Sequence, residues 1–414
     1  MKTIKLPKKK DRNSRWIALP LLSVFSLLGA CQSPDDTQQD DFQTVDIRSV
    51  INKDSQLDWN NHIQSSRYIQ LQETNDEASL IDGISDFALS DQYIFILPIK
   101  ERRIAMFDRE GHFIKTLIKE GPGPDEFNGM LSGIQYDKQS NHLFLFGNKI
   151  SEYTLEGKLV RSVNQTRPTM FVRSLSPERF GAVAMAFMPF QNGSFGIGVI
   201  DDKDSLLFHK NDFYSPLVAP EKSGLTAHLA SALSEYNHTM LFKIAGNDTL
   251  FRITTDTILP ACVLRLDNSE EEIKRALDIT DFSDIPGLKR DNRDIFVQDI
   301  QETKDYFYFR CRYNQGFNLI AVNKRTGEVL NERCEQPAPL QELAKNGTFV
   351  YGLLGSRSYN NFPVWGQFIG KELVQVVTPS ELSAFKDMNS ITIPEKLKNI
   401  DEEGNPVFII HQLK

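Results

Sequence analysis

The segment Met106-Phe107-Asp108-Arg109-Glu110-Gly111-His112-Phe113-Ile114 decides the fold, because two apolar runs flank a polar turn that contains glycine. Glycine supplies the positive φ that a tight hairpin turn requires. The same design recurs at residues 152–160 (EYTLEGKLV) and 322–330 (VNKRTGEVL). The first two turn glycines are 46 residues apart, and the third follows 170 residues later. Four-stranded propeller blades repeat about every 40–50 residues. The two spacings therefore correspond to about one and four repeats, and they predict a β-propeller.

Short apolar runs between these turns indicate further strands. Residues 93–97 (YIFIL), 142–146 (HLFLF) and 306–309 (YFYF) are rich in the aromatic and β-branched residues that favour strands. A sandwich shows no long-range repeat, and a parallel α/β fold needs a helix after each strand. We therefore predict an all-β, six-bladed β-propeller with short helical insertions. The predicted blades are 84–118, 130–164, 170–212, 226–267, 295–334 and 347–414, and the predicted helices begin near Ser269, after Thr378 and near 394.

The two ends of the predicted propeller carry complementary strand patterns. Residues 407–413 (VFIIHQL) form an apolar run at the end of the chain, and residues 68–71 (YIQL) precede blade one without a partner inside it. A ring of blades must join its last blade to its first without leaving a long edge strand exposed. We therefore predict that residues 67–73 form the outermost strand of blade six and pair with residues 406–413.

The first thirty residues have the pattern of a signal peptide. Seven basic residues and one acidic residue precede or border a 15-residue apolar run, which is too short to span a bilayer core of about 20 residues. The run ends Leu28-Gly29-Ala30-Cys31, which resembles the lipobox of bacterial lipoproteins, so Cys31 is the predicted site of lipid attachment. An ordinary secretory signal with a chance cysteine is the alternative. The predicted divisions are a signal peptide (1–30), an acidic flexible tether (31–62) and a propeller domain (63–414).

Removal of the signal peptide shifts the net charge from -8 to -14, since it removes seven basic residues and one acidic residue. Nucleic-acid binding requires a basic footprint, so an acidic chain is a poor candidate for that function. Lipid chains must then hold the protein to the membrane. The predicted location is the bacterial outer membrane, and the acidic tether is either a surface-export signal or a simple spacer.

The order of several motifs carries a family resemblance. Residues 68–74 (YIQLQET), 107–111 (FDREG), 121–127 (GPGPDEF), 247–253 (NDTLFRI) and 405–407 (NPV) follow the lipobox in that order. In this the chain resembles the family of six-bladed β-propeller lipoproteins of unknown function, which are related in architecture to NHL propellers. Blade three departs from the pattern, because residues 193–196 (GSFG) replace the acidic turn. The family has no settled activity, so the resemblance implies no catalytic residue.

No metal or cofactor site is predicted. None of the seven histidines forms a pair with the spacing of a helical or knuckle zinc site. Cys262 and Cys311 lie in apolar strand patterns, where cysteine most often acts as a small buried hydrophobe. The sequence leaves open whether any two of Cys262, Cys311 and Cys334 pair, and it favours free thiols.

Polar residues near strand ends are the candidate ligand-binding residues. In a propeller, the connections between blades share one face with the turns between the two middle strands of each blade. Arginine and aromatic side chains gathered on that face would bind an anionic or sugar ligand, although each is also consistent with an ordinary solvated loop. The candidates are Arg102, Arg103, Asp125, Glu126, Arg310, Tyr313, Arg357 and Tyr359.

Three function classes remain open. The favoured hypothesis is a membrane-anchored, monomeric lipoprotein whose propeller binds a ligand or an envelope protein, because propellers are rigid scaffolds whose loops carry recognition. The second is a hydrolase or lyase acting on glycans or peptides, which would need clustered acids or a metal. The third is an accessory part of an envelope complex.

Overall fold

A computed structural model gives the fold of the chain. It describes residues 43–53, 57–166, 169–184, 196–210, 232–243, 247–269, 295–314, 316–334, 366–386 and 393–414. These residues form six antiparallel sheets of four strands, one of which has a fifth strand added at its outer edge. The prediction of an all-β, six-bladed propeller is confirmed.

Each blade runs from strand A at the ring centre to strand D at the rim. Two strands precede the first complete blade: β1 (Thr44–Asp46) and β2 (Ile63–Gln70). Blade one contains β3 (Ile84–Leu89), β4 (Tyr93–Pro98), β5 (Arg103–Asp108) and β6 (Phe113–Lys119). Blade two contains β7 (Leu131–Asp137), β8 (His142–Gly147), β9 (Lys149–Thr154) and β10 (Leu159–Asn164). Blade three contains β11 (Thr169–Ser176), β12 (Arg179–Ala184), β13 (Ile197–Asp201) and β14 (Leu206–Lys210).

The second half of the ring follows the same order. Blade four contains β15 (Ala232–Tyr236), β16 (Thr239–Lys243), β17 (Thr249–Ile253) and β18 (Ile258–Arg265), and β1 is its added fifth strand. Blade five contains β19 (Phe296–Glu302), β20 (Tyr306–Tyr313), β21 (Gly316–Asn323) and β22 (Val329–Cys334). Blade six contains β23 (Gln367–Ile369), β24 (Glu372–Val377) and β25 (Val407–Leu413), and β2 is its D strand. The A strands of blades one to three lie against one another, as do those of blades four to six, and the A strands line the ring centre.

The apolar runs that predicted strands form the core between neighbouring blades. Phe95 of β4 and Phe144 of β8 are fully buried, as are the residues on either side of each. One side of each B strand packs against the preceding blade and the other side against the next. A continuous apolar run therefore suits a strand that is covered on both faces.

The three glycine turns have the predicted conformation. Gly111, Gly157 and Gly327 each have positive φ, of 91°, 89° and 72° respectively. At Gly111 and Gly157 an added Cβ would also lie within 2.5 Å of a backbone oxygen in the D strand of the preceding blade. Glycine is thus required there both by the turn and by the close packing of blade against blade.

The predicted ring closure is confirmed. β2 pairs antiparallel with β25 along its whole length, from Ile63 opposite Leu413 to Gln70 opposite Val407. Between β24 and β25, helix α1 (Pro379–Lys386) begins after Thr378, whose hydroxyl and amide both contact the Glu381 carboxylate. A 3-10 turn at Glu395–Leu397 follows. Two of the three predicted helices are therefore present, and the one after Ser269 lies outside the described residues, as do the signal peptide and Cys31.

The predicted tether boundary at residue 62 is wrong, because residues 43–53 and 57–62 pack on the propeller. This segment, which we call the strap, adds β1 in parallel to β18 of blade four and then crosses blade five to reach blade six. Val45, Ile47 and Ile51 are buried against blades four and five, and Leu57 and Trp59 against blades five and six. The polar composition of the segment predicted a solvated linker. The structure differs because its few apolar side chains are buried, and that burial stabilises the packed segment.

Trp59 is the largest buried side chain of the strap. Its indole Nε1 donates a hydrogen bond to Glu332 Oε2 at 3.0 Å, and its ring stacks on Tyr308 at 5.6 Å between centroids. Leu57 donates its backbone N–H to the carbonyl of Asn331, so the strap also bonds to the D strand of blade five. The strap therefore joins three consecutive blades, four, five and six.

Candidate functional site

A cavity of about 1290 Å³ opens at the ring centre, at the end where the A strands turn back into the B strands. All six A–B hairpins belong to the described residues. Five of them line the cavity, and blade three contributes Ser174 from its A strand. The hairpin residues are Ser90 and Asp91, Lys138, Asn237 and His238, Thr303 to Tyr306, and Gly370 with Lys371.

None of the six described candidate ligand residues lies at this cavity. Arg102 lies in the turn between β4 and β5 and bonds to the Glu120 carboxylate at 2.6 Å. Arg103 is the first residue of β5 and bonds to the carbonyl of Leu80 at 2.8 Å. This turn is at the opposite end of blade one from its A–B hairpin. Arg102 and Arg103 therefore hold the connections between strands.

The remaining candidates have comparable local roles. Asp125 bonds to Lys158 and to the backbone of the same turn, and Glu126 accepts the Gly123 N–H at 2.8 Å. The Tyr313 hydroxyl accepts a hydrogen bond from the strap, and Arg310 lies on β20. Arg357 and Tyr359 lie outside the described residues. Asp125 and Glu126 therefore brace the connection between blades one and two.

The rim of the cavity is charged but balanced. Six basic and six acidic side chains line it. Lys138 pairs with Asp91 at 2.8 Å, and Glu372 receives two hydrogen bonds from Arg109, at 2.7 and 2.6 Å. Arg67 approaches the same carboxylate at 3.5 Å. Much of the rim charge is thus internally neutralised, and the ion pair of Arg109 with Glu372 also joins blade one to blade six.

One side of the cavity is an aromatic wall formed by His62, Tyr306, Tyr308 and Phe368. Tyr308 stacks on Phe368 with centroids 4.7 Å apart, and the His62 ring meets Tyr306 edge-on at 4.9 Å. The Tyr308 hydroxyl and His62 Nδ1 are 3.1 Å apart. Burial lowers the pKa of His62, so this imidazole is neutral at pH 7 and the wall carries no charge there.

The floor of the cavity holds a partly buried ion cluster contributed by three A strands. Arg173 of β11 donates from Nε to Glu235 of β15 at 3.0 Å, and its Nη2 lies 3.6 Å from Oδ2 of Asp86 on β3. The guanidinium carbon is also 5.5 Å from the centroid of Phe146. The cluster therefore connects blades one, three and four across the ring, and only Glu235 among its three charged members lines the cavity.

Gly133 of blade two makes this connection possible. A Cβ at that position would lie 2.8 Å from Asp86 Oδ2 and 2.9 Å from Arg173 Nη1. Both distances are shorter than real Cβ contacts, so a side chain there would require the Asp86 carboxylate and the Arg173 guanidinium to shift. The lack of a side chain at Gly133 therefore leaves room for the contact between blades one and three.

Burial governs the protonation of the cluster. It raises the pKa of both the Asp86 and the Glu235 carboxyl, and the charge of Arg173 opposes that rise. Burial also lowers the pKa of Arg173, but the two carboxylates outweigh it and the net direction is upward. The pair of acids is therefore bridged by a permanent cation and serves to hold the A strands together.

Two bulges explain how acidic side chains reach the ring centre. The pairing of β3 with β4 shifts register immediately before Asp86, and that of β19 with β20 shifts before Asp299. In both cases the carboxylate accepts the N–H of the following residue, at 2.9 and 2.8 Å. A bulge redirects a side chain that regular alternation would send elsewhere, which is why periodicity did not single out these acids.

A second polar chain lies inside the closing sheet. The Ser66 hydroxyl is 2.7 Å from His411 Nδ1, and His411 Nε2 is 2.6 Å from the Gln375 amide oxygen. Burial lowers the pKa of His411 to about 4, so the imidazole stays neutral. None of the three residues lines the cavity. The arrangement satisfies a buried histidine between three strands of blade six.

Two of the three cysteines that follow Cys31 have side chains that the structure describes. Cys262 and Cys311 are free, buried thiols, and burial raises the pKa of each to about 12. The side chain of Cys334 is outside the described part of the chain. Within the described ranges there is no group of three or more His, Cys, Asp or Glu side chains arranged to hold a metal ion. Nor does that part of the chain contain a helix long and apolar enough to cross a membrane.

Comparison with known families adds an assignment. Residues 42–412 match the model of the domain of unknown function DUF4934. The chain belongs to this family. The match begins at residue 42, so this DUF4934 domain includes the strap as well as the six blades. No protein of curated function matches the sequence.

One solved structure supports the fold. An exported protein from Bacteroides fragilis superposes with a TM-score of 0.59 at 14% identity, over 90% of this chain and 99% of that one. A protein of unknown function from Bacteroides thetaiotaomicron is more distant, with a TM-score of 0.38 at 12% identity over 64% of each chain. At these identities the likeness concerns the fold alone.

The ion cluster at the floor leads to a first prediction. We expect Gly133→Ala to destabilise the DUF4934 domain by about 1–3 kcal/mol, because the added Cβ overpacks the contact of Asp86 with Arg173. The measurement is the urea midpoint. Ser132→Ala is the control at the adjacent position and should change the midpoint little. An unchanged midpoint for Gly133→Ala would show that the cluster relaxes freely.

Proposed function

We propose that this protein is an extracytoplasmic binding protein that takes up a ligand in the central cavity. The carrying observation is the cavity itself, which the hairpins of five blades line with aromatic, amide and paired charged side chains. Ligand sites are concave, largely pre-formed and equipped with a few placed polar groups. The rigidity of the ring supports the same proposal, since the groups are held by strands and ion pairs.

The location is part of the proposal. The signal-like N-terminus ending at Cys31 supports export and lipid attachment at the outer membrane. If Cys31 is the anchor, only residues 32–42 separate it from the strap. Eleven residues span at most about 40 Å when fully extended, so the lipid anchor would keep the propeller close to the membrane surface.

The cavity proposal predicts that a bulky side chain will block binding. Gln367 of β23 lines the cavity. Its side chain makes no hydrogen bond to another residue that the structure describes. We expect Gln367→Trp to abolish the thermal stabilisation that a ligand gives, whereas Gln367→Ala retains it. A ligand that binds only the native state raises the melting temperature, because it stabilises that state by RT ln(1 + [L]/Kd).

The experiment is a melting-temperature screen of the native protein and both variants against hexasaccharides, hexapeptides and nucleotides. The proposal expects at least one class to stabilise the native protein and Gln367→Ala but not Gln367→Trp. Equal stabilisation of all three proteins, or stabilisation of none, contradicts it.

The anchor gives a separate prediction. Cys31→Ser should abolish incorporation of a radiolabelled fatty acid and release the protein from the membrane fraction, since the acidic mature chain has little electrostatic attraction to anionic headgroups. Ser33→Ala, two positions away, is the control and should remain labelled. A Cys31→Ser protein that still carries the label in the membrane fraction would overturn the anchor.

A further inference from the structure

The aromatic wall is held in place from behind by the strap. Trp59 stacks on the Tyr308 ring, its Nε1 is fixed by Glu332, and the His62 imidazole contacts Tyr308 from the same segment. Phe368 covers Tyr308 from blade six. Side chains that are already packed lose little entropy when a ligand binds against them. The wall is therefore a preformed surface and needs no rearrangement to accept a ring.

Tyr306 is the member of the wall that is most available to a ligand. It is only partly buried and lines the cavity. Its hydroxyl makes no hydrogen bond within the part of the chain that the structure describes. It lies in the same hairpin as Lys304 and Asp305, and Gln367 lies nearby in the inner strand of blade six. An apolar ring with polar groups along its border suits a ligand with one apolar face and polar edges.

The charge of the cavity narrows the class of ligand. The lining holds equal numbers of basic and acidic side chains, and several of them neutralise one another. Phosphate and carboxylate ligands are recognised by an excess of arginine or lysine, often in bidentate geometry. The balance therefore favours an uncharged ligand over a nucleotide or an acidic peptide.

The cavity is larger than the usual range for one small molecule. Ligand pockets commonly enclose about 300–1,000 Å³, and this one encloses about 1290 Å³. A single sugar ring would fill only a fraction of that space. A chain of several rings would reach both the aromatic wall and the polar hairpins on the other side.

We propose that the central cavity binds a neutral oligosaccharide, with one sugar ring packed against the aromatic wall at Tyr306. Sugar rings combine an apolar face of C–H groups with a border of hydroxyl groups, which matches the border of Lys304, Asp305 and Gln367. The proposal rests on the cavity being the binding site and adds the chemical class of the ligand.

The test is isothermal titration calorimetry of the full mature chain with defined probes. The neutral probes are hexasaccharides of β-1,4-glucose, α-1,4-glucose, β-1,4-xylose and β-1,4-N-acetylglucosamine. The other arms are the hexamer of galacturonic acid, hexaalanine and ATP. We expect at least one neutral hexasaccharide to bind, and the acidic hexamer, the peptide and ATP to bind more weakly or not at all.

Substitutions then locate the ring. Tyr306→Ala should weaken binding of that hexasaccharide by about tenfold, or about 1.4 kcal/mol, because the ring contact with the sugar is lost. Tyr306→Phe keeps the ring and should weaken it less, and it also serves where the alanine variant folds poorly. Tyr313→Ala is the control, since Tyr313 is an aromatic residue away from the cavity, and it should leave the affinity unchanged.

The possible results separate the ligand class, the aromatic wall and the cavity. If hexaalanine, ATP or the acidic hexamer binds in preference to the neutral sugars, the neutral-sugar assignment is overturned. If Gln367→Trp also abolishes that binding, the cavity remains the binding site. Sugar binding that is unaffected by Tyr306→Ala overturns the role of the aromatic wall. Binding of no probe overturns the sugar assignment, and the Gln367→Trp screen then decides separately on the cavity.

Discussion

The pairing of β2 with β25 is the contact on which the rest of the structure depends. A ring of blades must be closed by segments that lie at opposite ends of the chain, and here those ends are residues 63–70 and 407–413. Without this pairing β25 would expose a row of unpaired backbone groups, and the buried faces of blades one and six would separate. Phe408 and Ile410 of β25 pack with Ile94 and Phe107 of blade one, so closure forms an apolar interface as well as a ladder of hydrogen bonds.

The strap extends this closure and connects it to the cavity. It begins at blade four, crosses blade five, and enters β2 directly after His62. Asp58, Asn61 and His62 all line the cavity, so the segment that closes the ring also forms part of its central site. The aromatic wall exists only when strap, blade five and blade six are in register. In this DUF4934 protein, ring closure and the aromatic wall therefore form together.

The fold could be predicted from the sequence because its signals are local. A glycine turn needs positive φ wherever it occurs, and a strand covered on both faces needs a continuous apolar run, so 106–114 and 142–146 are informative by themselves. The strap was missed because Val45, Ile47 and Ile51 are separated by polar residues, and their burial depends on surfaces that lie more than 200 residues away. The described candidate ligand residues lie away from the cavity, because strand-end patterns in the sequence do not show which side chains the ring brings together. Thr303 to Tyr306 form an ordinary polar hairpin in the sequence, and only the ring places them beside Phe368 and His62.

Hydrogen exchange measured by mass spectrometry tests the central claim most directly. If closure holds the ring, amides of 63–70 and 407–413 should be in the slowest-exchanging class. Their exchange should accelerate with denaturant together with that of the central strands 94–97 and 143–146, as expected for groups exposed only by global unfolding. Fast exchange of the two terminal strands at low denaturant, while the central strands stay protected, would show that the ring opens locally. That result would contradict the account.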